Sequence, residues 1–513
     1  MPHDTFAGFS RNGTPAGRLA VRLALVLGLA PLVLPAPASE QEVGQGSCFG
    51  ADACTGNTGG PSPHSNPPVP LGTRLRYAPA AKRFGYPASE ERLADYLARL
   101  DVMWMRAHAW HDWATLTART RSRIPVMLTW YQNREVFGAG TIDHPRRLSP
   151  QFLTGPRDSL GDGNPPISFN VYDRSYRSHV RTNSYEWRNT LTALVGHQPS
   201  VVDFPVEAIA VKTVWWPVRH DGLTAFPVWD GAPTRPTEWG TGIGLLVDEG
   251  YFGPLTPEQQ AELKGHEKHG NEWGTFRRVV AIDPTRAIIP VGETTTITFF
   301  DPDDLQLQLD ASRMARLVPL RDFLHVRLND AATLQKLNAG LAGQIAERFW
   351  GRPLGQEDYL ALVAVHVTTR EAPDWVWLTL WWHDDPDSAP YGNDRPRIVR
   401  FPFDRFRMEV AQSADVPVAP DGTPHITFNP YLEAGFALGV RSNCIGCHQR
   451  AVWTAGGPGE VYPVKRGSMH PDDPFFAGKL RTHFLWSLVF RPRPLPGAPG
   501  PGPTECPPGR LCD

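Results

Sequence analysis

The sequence predicts an α+β fold that is rich in antiparallel strands. Short runs of β-branched and aromatic residues recur through its middle, as in Ala208–Val218 (AIAVKTVWWPV). Seventeen tryptophans and 52 prolines suit strands and loops better than a helical bundle. Helix-period apolar patterning is confined to a few segments.

Taken in order, residues 1–38 have the layout of a secretory signal peptide. Arg11, Arg18 and Arg22 precede the apolar stretch Leu23–Leu34, and the small residues Ala36 and Ala38 follow. Residues 39–75 are rich in Gly, Pro, Ser and Asn and read as a flexible leader. A β-rich α+β domain follows over 76–400. Within it Ser89 caps a predicted helix running to Leu100, and a second helix spans His108–Thr120. Asp330 opens a third, drawn as one helix to Trp350, with Leu334, Leu337, Leu341 and Ile345 along one stripe. Strands are predicted at Ala208–Val218, Thr294–Phe300, Leu360–Val367 and Val376–Trp382, the last two pairing as an antiparallel hairpin. Alternation in Val376–Trp382 predicts one buried face.

Residues 401–490 form a small segment packed against that domain, with a candidate helix at Phe475–Phe490. Residues 491–513 are a Pro/Gly-rich tail. Past the signal peptide, nothing approaches the roughly 20 apolar residues of a helical membrane span, so the mature chain is expected to have no transmembrane segment.

The 401–490 segment contains Cys444-Ile445-Gly446-Cys447-His448, a C-x-x-C-H run. Two thiols at this spacing can each add across one haem vinyl group, and the adjacent imidazole then falls under the iron as proximal ligand. The expectation is one covalent haem c, bound by Cys444 and Cys447 with His448 on the metal. A dithiol redox pair or half of a zinc site is the competing reading, but no second C-x-x-C exists to complete a zinc site. Haem attachment of this kind takes place outside the bacterial cytoplasm, in keeping with the signal peptide and a periplasmic or secreted protein. There the remaining cysteines, Cys48 with Cys54 and Cys506 with Cys512, are expected as disulfides, paired locally or end to end.

The sixth iron ligand is open. Met469, twenty-one residues after His448, is the nearest thioether, and His470 and His483 are alternatives. A residue of the large domain, or none, is the remaining choice. His383-Asp384-Asp385-Pro386-Asp387 has the oxygen ligands of a hard-cation site but also the makings of a turn. His108 with His111, and His266 with His269, lack the H-E-x-x-H pattern of a zinc hydrolase. The tryptophans fit either a core or a ligand-stacking surface. Phosphate loops, G-x-S-x-G and nucleotide fingerprints are absent from the sequence. With 51 Lys+Arg against 53 Asp+Glu there is no basic field for nucleic acid.

Several blocks resemble exported bacterial proteins grouped as the cytochrome c family. They are Val211–Val218, Val365–Trp377, Trp381–Asp384, Asn429–Glu433 and Ser442–His448. The resemblance runs from about residue 100 to 487 and implies one haem c while leaving the substrate open. It departs at His483, where an acidic residue is expected. The functional expectation is electron transfer through the haem iron, with a redox protein or small-molecule donor or acceptor as partner. The alternatives are a peroxidase- or oxidase-like haem enzyme with a substrate pocket in the large domain, or a haem sensor or binding module.

Overall fold

The computed structural model describes residues 66–80, 85–99, 102–138, 146–152, 167–231, 247–248, 254–265, 278–300, 309–412, 414, 427–433, 443–459 and 467–495. The predicted signal peptide, Cys48, Cys54, Cys506, Cys512, His266 and His269 lie outside the described residues.

The architecture is α+β and β-rich, organised on an eight-stranded, mostly antiparallel sheet. Its hub is the strand Tyr359–Thr369 (YLALVAVHVTT), whose β-branched and apolar run suits burial on both faces. Along one side it pairs with Ile209–Val218, with an irregularity between Leu362 and Ala364. Along the other, its start pairs with His325–Arg327 and its end with Val376–Trp382, the predicted hairpin. Ser168–Tyr172 and Tyr131–Gln132 extend the sheet one way, and Phe406–Ala411 the other.

Residues 66–75, assigned to the leader on composition, already belong to this body. Val69–Pro70 runs parallel to His325–Arg327, and the Asn66 amide donates to the carbonyls of Arg321 and Phe323. Backbone pairing and one buried amide outweigh the loop-like composition there.

Every residue of Val376–Trp382 is buried, so the strand is covered on both faces rather than on one. Most of the described tryptophans are core, Trp104 being an exposed exception. Trp381 Nε1 donates to the Trp229 carbonyl and Trp382 Nε1 to that of Asp322, while Trp215 Nε1 donates to Thr213 Oγ1. Each indole thus buries its rings and still satisfies its one polar atom. One sheet face is apolar across four strands, with Val211, Val367, Leu378 and Val410 in register.

A second sheet orders Thr224–Val228, Arg278–Asp283, Leu309–Pro319 and Thr294–Phe300, with its central pair parallel. A small third sheet places Val452–Thr454 between Gly457–Pro458 and Leu480–Arg481.

Two helix expectations need correction. The segment opened by Asp330 is two helices, Ala331–Asn338 and Leu341–Trp350, broken at Ala339-Gly340. Asp330 does cap the first by accepting from Thr333 N. The second folds back so closely that a Cβ on Gly343 would lie 2.5 Å from the Asn338 carbonyl oxygen. The segment Phe475–Phe490 is not one helix. A 3-10 turn at Pro474–Phe476 leads to strand Leu480–Arg481, then to a short helix at Trp486–Phe490. Between these last two, His483 and Phe484 both take positive φ, which no α-helix accommodates. Among the described residues no helix is long and apolar enough to cross a membrane.

Candidate functional site

The C-x-x-C-H run begins with a strained turn. Cys444 has φ 64° and ψ −52°, and Ile445 N donates to the Asn443 carbonyl at 2.7 Å, which is a γ-turn of the rarer, strained hand. Ile445–His448 then forms a single helical turn. Asn443 fastens it at both ends of its amide, with Oδ1 accepting from Gly446 N at 3.1 Å and Nδ2 donating to the Ala414 carbonyl at 2.8 Å. Strain of this kind survives only where surrounding contacts over-determine it. Cys444 and Cys447 are unpaired thiols, Cys444 buried and Cys447 half-buried. Burial pushes the Cys447 thiol up to about 12 and Cys444 well above its ordinary value, so both remain protonated.

His448 is held on two sides. Its Nδ1 lies 2.7 Å from the carbonyl oxygen of Phe484. A carbonyl only accepts, so Nδ1 carries the proton and Nε2 is left with its lone pair. The Trp377 indole packs against the imidazole with ring centroids 4.1 Å apart. Burial, helped by the nearby positive charge of Lys212, holds His448 down at about 4, a neutral imidazole.

The main sheet supplies the opposite wall. Cys444, Ile445, Trp453, Leu480, Leu485 and Leu488 share a core with Tyr172, Trp377 and Ala411 of the sheet. The last three lie on one cross-strand row, with Ala210 and Thr368 between them. The next row on that face is polar in every strand: Asn170, Lys212, His366, Thr379 and Glu409. Burial lowers Lys212 to about 8, with Glu433 partly restoring it. It drives His366 well below its usual range, and the charges of Lys212 and His448 push the same way. His366 Nε2 has no hydrogen-bond partner, although Glu433 Oε1 is 3.5 Å away. Yet the His366 side chain keeps 24% of its surface accessible.

The distal candidates separate. Met469 is placed near the motif, its N–H donating to Gln449 Oε1 at 2.9 Å. His470 is exposed beside Asp472. His483 has both nitrogens engaged, Nδ1 by Trp375 Nε1 at 3.3 Å and Nε2 by Asp203 Oδ1 at 3.3 Å. The acidic run after Trp382 is no cation site. Asp384 is neutralised by Arg278 at 3.0 Å and Arg316 at 3.5 Å, and His383 faces Asp230.

Lys212, His366 and Glu433 were not singled out by sequence reasoning. For Lys212 and His366 the signal is a polar residue in the interior of an apolar strand, Lys in AIAVKTVWW and His in LALVAVHVTT. Comparison with family models, curated proteins and solved structures finds no match to this chain.

Proposed function

We propose that this chain is an exported mono-haem c protein that passes electrons through a covalently bound iron. Cys444 and Cys447 would hold the porphyrin and His448 the iron, and the bound group would supply a one-electron ferrous–ferric couple. The observation that carries the reading is the Nδ1–H donation of His448 to Phe484. It fixes the ring orientation and tautomer that a metal-ligating imidazole requires, in the way second-shell acceptors do. Two unpaired thiols, Cys444 at the cap of that turn and Cys447 within it, supply the attachment points for the porphyrin. In this reading the signal peptide delivers the chain to the periplasm or beyond, where the redox partner is a protein or a small donor or acceptor. Met469 is retained as the proposed distal ligand because the loop carrying it is tied to Gln449, next to His448.

The polar row of Lys212 and His366, with Glu433 beside it, favours a second reading, a haem enzyme or sensor with an accessible iron face. Those groups could bind a polar substrate and hold or move its protons. Haem staining of the denatured wild-type chain, lost in Cys444→Ala/Cys447→Ala, tests attachment; covalent haem in the double variant refutes it. In the ferric wild-type spectrum, a near-infrared sulfur-to-iron band supports Met469. A high-spin spectrum that shifts with cyanide moves the assignment to the enzyme or sensor.

A further inference from the structure

A second cluster lies just past the end of the hub strand, where Tyr359–Thr369 runs into the loop holding Glu371. His108 and Asp112 are four residues apart on helix Val102–Thr117, a spacing that sets both on one helix face. Glu371 meets them from the loop. His108 Nε2 is 3.2 Å from Glu371 Oε2 and 3.4 Å from Asp112 Oδ2, and one ligand atom from each residue lies within 4.8 Å of the others. All three are buried, at 8%, 2% and 4% exposure.

Glu371 is held in place independently. Its Oε1 accepts from Ala88 N at 2.6 Å and its Oε2 from Thr369 Oγ1 at 2.8 Å. Asp112 is different, because its Oδ2 points into the cluster and has no hydrogen-bond partner. Thr115, three residues further along the same helix face, also leaves a fully buried hydroxyl unpartnered. Buried polar atoms without partners are rare, and each asks for a missing partner.

We propose that His108, Asp112 and Glu371 bind a divalent first-row transition metal, with zinc as the best fit. Ligands at about 2.0–2.1 Å around a tetrahedral ion stand about 3.3 Å apart, which is the separation His108 Nε2 keeps from both carboxylates. One nitrogen and two carboxylate oxygens form a borderline donor set suited to zinc rather than calcium or magnesium. Against the effect of burial, Asp112 and Glu371 hold His108 up at about 9, so a divalent ion would take the place of the imidazolium proton between the same two carboxylates. This site is independent of the haem reading and contains none of its residues.

The test uses the full chain, stripped with a chelator and then exposed to zinc alone. One zinc per chain beyond any haem iron is expected, with a rise in melting temperature on loading. Asp112→Asn and Glu371→Gln should each abolish that uptake, while His470→Ala, at an exposed position, should keep it. X-ray absorption at the zinc edge of the loaded wild-type chain decides the matter even if the variants fail to fold. A nitrogen and oxygen shell supports the site. A shell containing sulfur would put the zinc on Cys444 and Cys447 and overturn it. So would no uptake by the wild type, or undiminished uptake by folded Asp112→Asn and Glu371→Gln.

Discussion

Trp377 and His448 pack ring against ring, 4.1 Å between centroids, although 71 residues of sequence separate them. The strand that carries Trp377 is buried on both faces and paired on both edges, so the indole is a rigid backstop. Its own N–H is satisfied by the Asp374 carbonyl at 2.8 Å. The imidazole is thereby fixed between a tryptophan on the sheet and a carbonyl on a later loop.

Trp377→Ala should leave the thioether chemistry intact, since neither cysteine depends on the indole. It should cost about 3–5 kcal/mol of stability, the range for deleting a buried aromatic. If haem is present, the visible and EPR spectra should also become heterogeneous as the imidazole gains freedom, and Trp377→Phe should restore much of both. Chemical denaturation and EPR of the two variants read these outcomes.

Arg106 makes a two-pronged pair with Asp394, at 2.6 and 2.9 Å, and also donates to the Met408 carbonyl at 2.8 Å. Arg106→Ala would remove both prongs from Asp394, an exposed residue that keeps the Trp110 indole N–H, and would leave the Met408 carbonyl without this donor. The expected loss is about 1–3 kcal/mol, since water takes over part of the carboxylate's solvation. Arg106→Lys should recover little of it, because an ammonium cannot reproduce the fork. Urea denaturation at neutral pH measures both.

Asp173 joins a helix to the sheet. Its carboxylate caps helix Arg174–Thr182 by accepting from Ser175 N and Tyr176 N, and it also accepts from Ile209 N at the start of a central strand. Asp173→Ala should cost about 2 kcal/mol, the upper end for a cap, because a buried strand N–H is orphaned with it. A smaller loss in thermal unfolding than that of an exposed cap such as Asp330 would contradict this.

Stability should fall as pH drops from about 6.5 towards 4, partly through His325. Burial holds this histidine down at about 4, with its Nδ1 donating to the Phe323 carbonyl. In the unfolded chain it titrates near ~6.5, so on acidification the unfolded state takes up its proton first and is favoured. The contribution is complete above about pH 6.5 and diminishes as pH falls, to a total of about 3 kcal/mol. His325→Phe should flatten that part of the profile in denaturation series between pH 4 and 7.

What the sequence revealed follows from how local each signal is. The strands Thr294–Phe300 and Val376–Trp382 keep their predicted bounds because β-branched and aromatic runs favour extended backbone, the second buried throughout and the first with none of residues 294–298 buried. The break at Gly340 was invisible, since Leu334, Leu337, Leu341 and Ile345 keep helical spacing across a chain reversal. The motif cysteines and His448 were legible as a pattern. Their surroundings were not, because Lys212, His366 and Trp377 reach them only through strand register. Glu371 and His108 are 263 residues apart, and nothing short of the fold brings them together.

The acceptor for His448 comes from Phe484, thirty-six residues further along the chain. It is presented by two successive left-handed residues after the strand Leu480–Arg481 has paired with Val452–Thr454. An imidazole seat built this way exists only once the C-terminal part of the chain has docked. The thiols it accompanies become buried by that same docking. If a porphyrin is joined to them, the bonding has to happen during biogenesis, while this last ladder is still open. Docking of the 480–490 segment then closes over the product. Maturation and folding would be competing clocks, and a chain that folded first would be sealed without its cofactor.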